Sequence, residues 1–152
     1  MSLVGFGHVF TRALPFSFAE GIQYRVAPPP VIALLKVIAF MEDQHSRKKD
    51  LLDLTELFRR YEAASNRIFS DEIFAAELED IEYASAFLLG VDVGTTATDE
   101  EVGILSAFLR AQSISDEELL NLDREDLQQR EALRFQEQLR AFRKGIEKSR
   151  GG

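Results

Sequence analysis

Cysteine is missing from all 152 residues, and histidine occurs only at positions 8 and 45. The first absence excludes a disulfide staple, a thiolate nucleophile and sulfur-ligated zinc. The second leaves too few imidazoles for a common metal site unless several carboxylates join them. Long apolar runs are lacking too: Val31 to Met41 is interrupted by Lys36 and falls far short of the ~20 residues that span a bilayer. The N-terminus has no basic segment followed by an apolar signal core, so cytoplasmic residence is the expectation. Basic charge is scarce, with 18 Lys and Arg against 26 Asp and Glu and a net charge of −8, which argues against a broad nucleic-acid surface. Neither an internal repeat nor a low-complexity tract is present.

What the chain does have is a globular composition, 45% apolar with 12 Phe. The length suits one ordinary core, or a core of about 110 residues with an appendage, and does not suit a multidomain enzyme. Phe16 and Phe18, then Ile22, Tyr24 and Val26, alternate on either side of Ala19-Glu20-Gly21, which predicts a hairpin of two short strands. The stretch GHVFTRAL before it reads as helical. Pro28, Pro29 and Pro30 end the second strand and preset a helix from about Val31 to Asp43, because proline has no amide hydrogen to lose there. Further helices are expected from about Lys49 to Ala64, from about Asp71 to Glu79, and over YASAFLLGVDVG. Capping-box patterns at Thr98/Glu101 and Ser115/Glu118 start two more, and Asp123 to Ser149 reads as one long helix.

Residues 66–101 hold ten acids and one base, whereas residues 134–150 hold six bases and two acids. The two stretches are either solvated faces of opposite sign or attract one another, within the chain or between copies.

The helix Val31 to Met41 is apolar on every side and must be surrounded. Lys36 is its one charge, set between Ile32 and Phe40 on the wheel, so its ammonium must snorkel to water or find a carboxylate. In the next helix Leu54, Leu57, Phe58 and Tyr61 form an apolar stripe, with Asp50 inside it and Asp53 at its edge. A short loop brings the two helices back antiparallel, which makes Lys36 the natural cation for both acids, with Lys48 and Lys49 as local competitors. Burying opposite charges costs several kcal/mol per ion before their attraction returns it. The pair is therefore read either as a structural ion pair or as part of a site.

The strings VAPPPVIALLKVIAF, RKKDLLDLTELFRRY and ASAFLLGVDV together resemble the C-terminal half of a family of bacterial nucleotidyltransferases related to abortive-infection toxins of toxin–antitoxin systems. The resemblance spans roughly residues 3 to 110. It implies a mainly α fold with a small β-hairpin (α+β) and a partial nucleotidyltransferase-like core at 1–112; it does not reach residues 113–152, which read from their own pattern as a charged amphipathic helical tail. It carries the family's internal Lys and its Lys-Asp, Asp-Leu motif onto Lys36, Lys49, Asp50, Asp53 and Leu54. Lys36, Lys49, Asp50 and Asp53 thereby become the residues expected to face nucleotide or acceptor. The family also has an Arg soon after the apolar helix; this chain has Glu42, Asp43 and Gln44 there, with Arg47 as a displaced stand-in.

Such enzymes begin with a Gly-Ser turn and a strand bearing Asp-x-Asp, whose carboxylates hold magnesium against a nucleoside triphosphate. No Gly-Ser dipeptide occurs in this sequence. Glu79-Asp80-Ile81-Glu82 and Asp123-Arg124-Glu125 have carboxylates at useful spacing, but in helical contexts without a phosphate-cradling turn. Magnesium and nucleotide thus belong to the complete family, and no metal ligand or catalytic residue is expected here. The resemblance implies a protein incompetent for catalysis alone, a natural short form or a fragment, with a missing half as one possible partner.

GVDVGTT, Gly90 to Thr96, resembles the phosphate loop of sugar kinases and heat-shock ATPases, but it follows a helical stretch and reads as a helix end terminated by Gly94. Arg47-Lys48-Lys49 and Arg59-Arg60 sit among six acids and six bases in residues 31–62, an ordinary amphipathic surface. The tail carries Ala132, Phe135, Leu139, Phe142 and Ile146 at alternating spacings of three and four, a narrow apolar seam. That seam either folds back on the domain or pairs with a second copy or another protein. The second alternative makes Phe135, Leu139, Phe142 and Ile146 partner-binding residues, and the chain a helical interaction or regulatory module acting through its C-terminal helix.

Overall fold

The computed structural model describes residues 4–19, 21–123 and 125–151. Helix α1 (Phe6–Arg12) leads into an antiparallel ribbon of β1 (Leu14–Ala19) and β2 (Ile22–Val26), followed by α2 (Pro29–Glu42) and α3 (Lys48–Arg60). An irregular passage holds 3-10 turns at Asn66–Phe69 and Ile81–Tyr83 around the short α4 (Asp71–Phe74). Then come α5 (Ala84–Thr96), α6 (Asp99–Gln112), the short α7 (Asp116–Leu120) and α8 (Leu127–Ser149). The fold is mainly α with a small β-hairpin.

Local chemistry sets most of these boundaries. Pro29 and Pro30 occupy the first turn of α2, where a missing amide hydrogen costs nothing. Both capping boxes form: Thr98 and Glu101 exchange side-chain-to-backbone hydrogen bonds at the start of α6, as do Ser115 and Glu118 at the start of α7. At the hairpin turn Gly21 has φ +83°, a left-handed conformation that glycine adopts without strain; neighbouring Glu20 lies outside the described residues.

Three expectations are corrected. The helix expected to run to Glu79 stops at Phe74, and Glu77 then takes a left-handed φ of 48°, which breaks the helical path. The last helix begins at Leu127, because the Asp126 side chain accepts the amide of Gln129 and caps it there; Arg124, in the acidic triplet, lies outside the described residues. Gly94 does not terminate a helix. Helix α5 runs through Gly90 and Gly94 to Thr96, and both glycines are buried against α8.

That contact is the centre of the molecule. A Cβ at Gly90 would sit 2.1 Å from the carbonyl oxygen of Phe142, and one at Gly145 would sit 2.1 Å from that of Phe87, so the two helices cross backbone to backbone. Around the crossing, Phe87, Leu88 and Val93 of α5 meet Leu139, Phe142 and Ile146 of α8 in one apolar cluster with Leu34 and Val37 of α2, Leu54 and Phe58 of α3, and Leu105 and Phe108 of α6. Phe58 packs against Phe142 with ring centroids 5.0 Å apart.

The seam of α8 therefore folds back. Leu139, Phe142 and Ile146 are buried, and Phe135 packs on the core beside Phe58, which corrects their assignment to a partner. Residues 113–152 are not an appendage, because their longest helix supplies a wall of the only large apolar cluster among the described residues. The oppositely charged stretches also meet within the chain: Arg134 reaches Glu82 at 2.6 Å, Arg150 pairs with Asp99, and Lys144 donates to the Glu77 carbonyl at 3.2 Å. No described helix is long and apolar enough to cross a membrane.

Candidate functional site

Helix α2 spends its charge-free faces on the core, burying Val31, Ala33, Leu34, Val37, Ile38 and Phe40. Its remaining face, Ile32, Leu35, Lys36 and Ala39, is only half covered. The expectation that this helix is surrounded on all sides is corrected there. The open face forms the floor of a groove of about 280 Å³, with Val4 and Phe6 beside it and a charged lip of Lys36, Glu42, Arg47 and Asp50.

The turn between α2 and α3 is held by Asp43, which accepts the amide of Ser46 at 3.1 Å. That backbone hydrogen bond holds the Asp43 carboxyl below its ordinary range. With the turn fixed, α3 returns alongside α2 and presents its first-turn acids to Lys36. The ammonium of Lys36 donates to Asp53 Oδ2 at 2.7 Å and to Asp50 Oδ1 at 3.1 Å. Asp50, on the apolar side of α3, keeps 15% of its side chain exposed, whereas Asp53 at the edge keeps 41%. Arg47 approaches the second oxygen of Asp50 at 3.5 Å.

Two opposing influences act on the Lys36 ammonium. Burial is the largest single effect and would lower its pKa, but the hydrogen bonds it donates to Asp53 and Asp50, with their charges, outweigh it and hold the group above its ordinary value. Asp53 is shifted down, chiefly by the hydrogen bond from Lys36 and against a small burial effect. Two cations, Lys36 and Arg47, face two carboxylates, Asp50 and Asp53, so the cluster is neutral as it stands. The Lys36 ammonium gives two of its three hydrogens to these acids, and the more exposed Asp53 is the one nearer water.

The residues expected to face a ligand are thus only partly brought together. Lys36, Arg47, Asp50 and Asp53 form one cluster at the lip of the groove. Lys49 lies exposed in the first turn of α3, and its charge reaches Asp53 through space. His45 is exposed in the α2–α3 turn and joins none of this. The carboxylates do not suit magnesium: Asp50 and Asp53 are both engaged by Lys36, and no group of three His, Asp or Glu among the described residues assembles as a cation site.

A second polar cluster was not anticipated. Asp92, in the middle of apolar α5, accepts the Tyr61 hydroxyl at 2.5 Å and a two-pronged hydrogen bond from Arg67, one prong of 2.9 Å. Burial first, and then the Asp92 carboxylate, push the Tyr61 hydroxyl well above its ordinary pKa. The cluster ties the irregular passage after α3 onto α5. Its sequence signal was the same as that of Lys36, a lone charge inside an apolar helix. His8 of α1 likewise bonds Glu101 at 2.9 Å, tying α1 to the capping box of α6. Burial is the largest influence on Glu101 and pushes its pKa upward, but the Thr98 amide and His8 outweigh it and hold the carboxyl low.

No protein-family model, curated protein or solved structure matches this chain.

Proposed function

We propose that this chain is the helical, nucleotide- or acceptor-facing half of a nucleotidyltransferase-like protein, and that alone it does not transfer nucleotides. The observation that carries the reading is the Lys36 ammonium, bonded to both Asp50 and Asp53 at the lip of an apolar groove. The sequence resemblance singled out these three residues together with Lys49 and, as a stand-in, Arg47. Groove and cluster divide the work by polarity. At about 280 Å³ the groove lies just below the ~300–1,000 Å³ of sites that enclose whole small molecules, so it takes one ring system and leaves the rest outside. Phosphate would then lie toward Lys36 and Arg47, with Asp53 released to water as the arriving anion replaces it. Asp50, less exposed and also approached by Arg47, stays in place to hold the amine.

Titration calorimetry with ATP, with and without magnesium, tests this. Weak binding is expected in the millimolar range, lost in Lys36→Met and strengthened several-fold in Asp53→Asn, which removes the competing anion. Magnesium changes little, because the described residues assemble no group of three ligands for it. Equal binding by wild type and Lys36→Met, or none by either, removes the reading. Release of pyrophosphate by the chain alone overturns its non-catalytic part.

A further inference from the structure

The β1–β2 ribbon carries an apolar face that stands apart from the core. Its register sets Leu14 opposite Val26 and Phe16 opposite Tyr24, with Ile22 next along the same face. Leu14 is 61% exposed, Phe16 and Tyr24 55%, Val26 48% and Ile22 47%. A two-stranded ribbon is marginally stable in water by itself. This one leaves open on the order of 500 Å² over these five residues, well within the upper half of the range for the largest patch on a monomer.

Three observations name what covers it. The first is area: two such faces placed together remove up to about 1,000 Å² from water, the threshold that a weak specific interface must reach. The second is charge. The chain carries −8, so two copies repel over most of their surfaces, yet Glu20 and Arg25 are the only charges in residues 14–26 and they cancel. The third is the blunted edge of β1, where Pro15 has no amide to offer a neighbouring strand and the ladder is irregular between Ser17 and Ala19. Strand addition at that edge is therefore disfavoured. It is also self-complementary, with the Phe16–Tyr24 pair between Leu14–Val26 on one side and Ile22 on the other, as a two-fold contact requires.

We propose that two copies of this chain associate face to face through the β1–β2 ribbon, the Phe16–Tyr24 pair of each packing on that of the other. The contact uses none of the residues of the Lys36 cluster, so it stands or falls independently of nucleotide binding.

Sedimentation equilibrium of the full chain over about 1–500 μM is expected to show the mass rising from one chain to two and stopping there. Phe16→Asp weakens the association roughly 30-fold or more while the melting transition of the helical core stays in place, because the side chain is already open to water in the single chain. Added salt leaves the association unchanged or strengthens it, since it screens the repulsion of the two net charges. The absence of native cysteine allows a second arm: Tyr24→Cys cross-links into a dimer on mild oxidation, whereas Leu52→Cys, more exposed but on α3, does not. A single-chain mass throughout overturns the proposal, and so do growth beyond two copies, association that salt dissolves, and equal cross-linking of the two variants.

Discussion

Lys36 shows how far one residue can be read from sequence. A lone ammonium on an apolar helix, followed by a short turn and two acids three apart on the next, either snorkels to water or meets those acids, and the structure adopts the second with bonds of 2.7 and 3.1 Å. The open groove beside it was not legible, because a helix wheel shows which faces are apolar and not which of them a neighbour covers. The cluster's contribution to folding has a defined pH window. A depressed carboxyl such as Asp53 favours folding above its unfolded value, near 3.8, and loses that effect as pH falls through its folded value. A raised amine such as Lys36 favours folding below 10.5 and loses that effect as pH rises through its folded value. Between those two values the contribution is whole. With 22% of the Lys36 side chain exposed, the pair lies between a surface ion pair and a fully buried one, so Lys36→Met costs about 1–2 kcal/mol near neutral pH, mostly by leaving Asp50 short of a cation. Urea titrations from about pH 3 to pH 8 should show a constant gap between mutant and wild type that narrows only below about pH 4. A gap that instead widens on acidification assigns the stability to other groups.

At the scale of the elements, helix starts are more legible in the sequence than helix contacts. Caps are local: Thr98 with Glu101 and Ser115 with Glu118 lie within one turn of each other and form as their spacing predicts. The role of GVDVGTT is not local. Gly94 looks like a terminator until α8, about fifty residues later, lies across it, and the partners of Asp92, Tyr61 and Arg67, come from more than twenty residues earlier in the chain. The glycines of the chain consequently separate into two kinds with opposite responses to one methyl group. At Gly90 a Cβ meets the Phe142 carbonyl oxygen at 2.1 Å, and backbone on both sides leaves no flexible atom to yield. At Gly103 in α6 nothing lies within 4 Å. Gly90→Ala should cost about 2–3 kcal/mol by forcing α5 and α8 apart, and Gly103→Ala should add about 0.5–1 kcal/mol by restricting the unfolded chain and favouring the helix. Thermal melts then move in opposite directions, by roughly 2–4 °C per kcal/mol for a chain of this size. Equal shifts of one sign would mean that the α5–α8 crossing is looser than 2.1 Å implies.

For the whole molecule, the decisive question is what α8 belongs to. Its sequence is mostly charged, and its apolar positions form a seam so narrow that an exchangeable tail and a core wall share one pattern. A domain boundary at residue 112 follows naturally from the first reading. The seam's depth distinguishes the two, and only the tertiary structure supplies that: Phe142 is fully buried between Phe58 and the α5 backbone, with Leu139 and Ile146 closing the same cluster. Removing α8 would uncover Phe58, Phe87 and Val93 together and leave Gly90 and Gly94 facing water, two helix-weakening residues with no close packing to justify them. At about 25 cal/mol per Å² of apolar surface, uncovering several large side chains removes on the order of 5–10 kcal/mol, as much as the whole stability of a typical domain. A chain ending at Gln112 should therefore give no cooperative melting transition by circular dichroism, whereas the full chain gives a single one whose midpoint is the same by helix signal and by tyrosine fluorescence. A sigmoidal melt from residues 1–112 alone would return α8 to the status of a tail and free its seam for another protein.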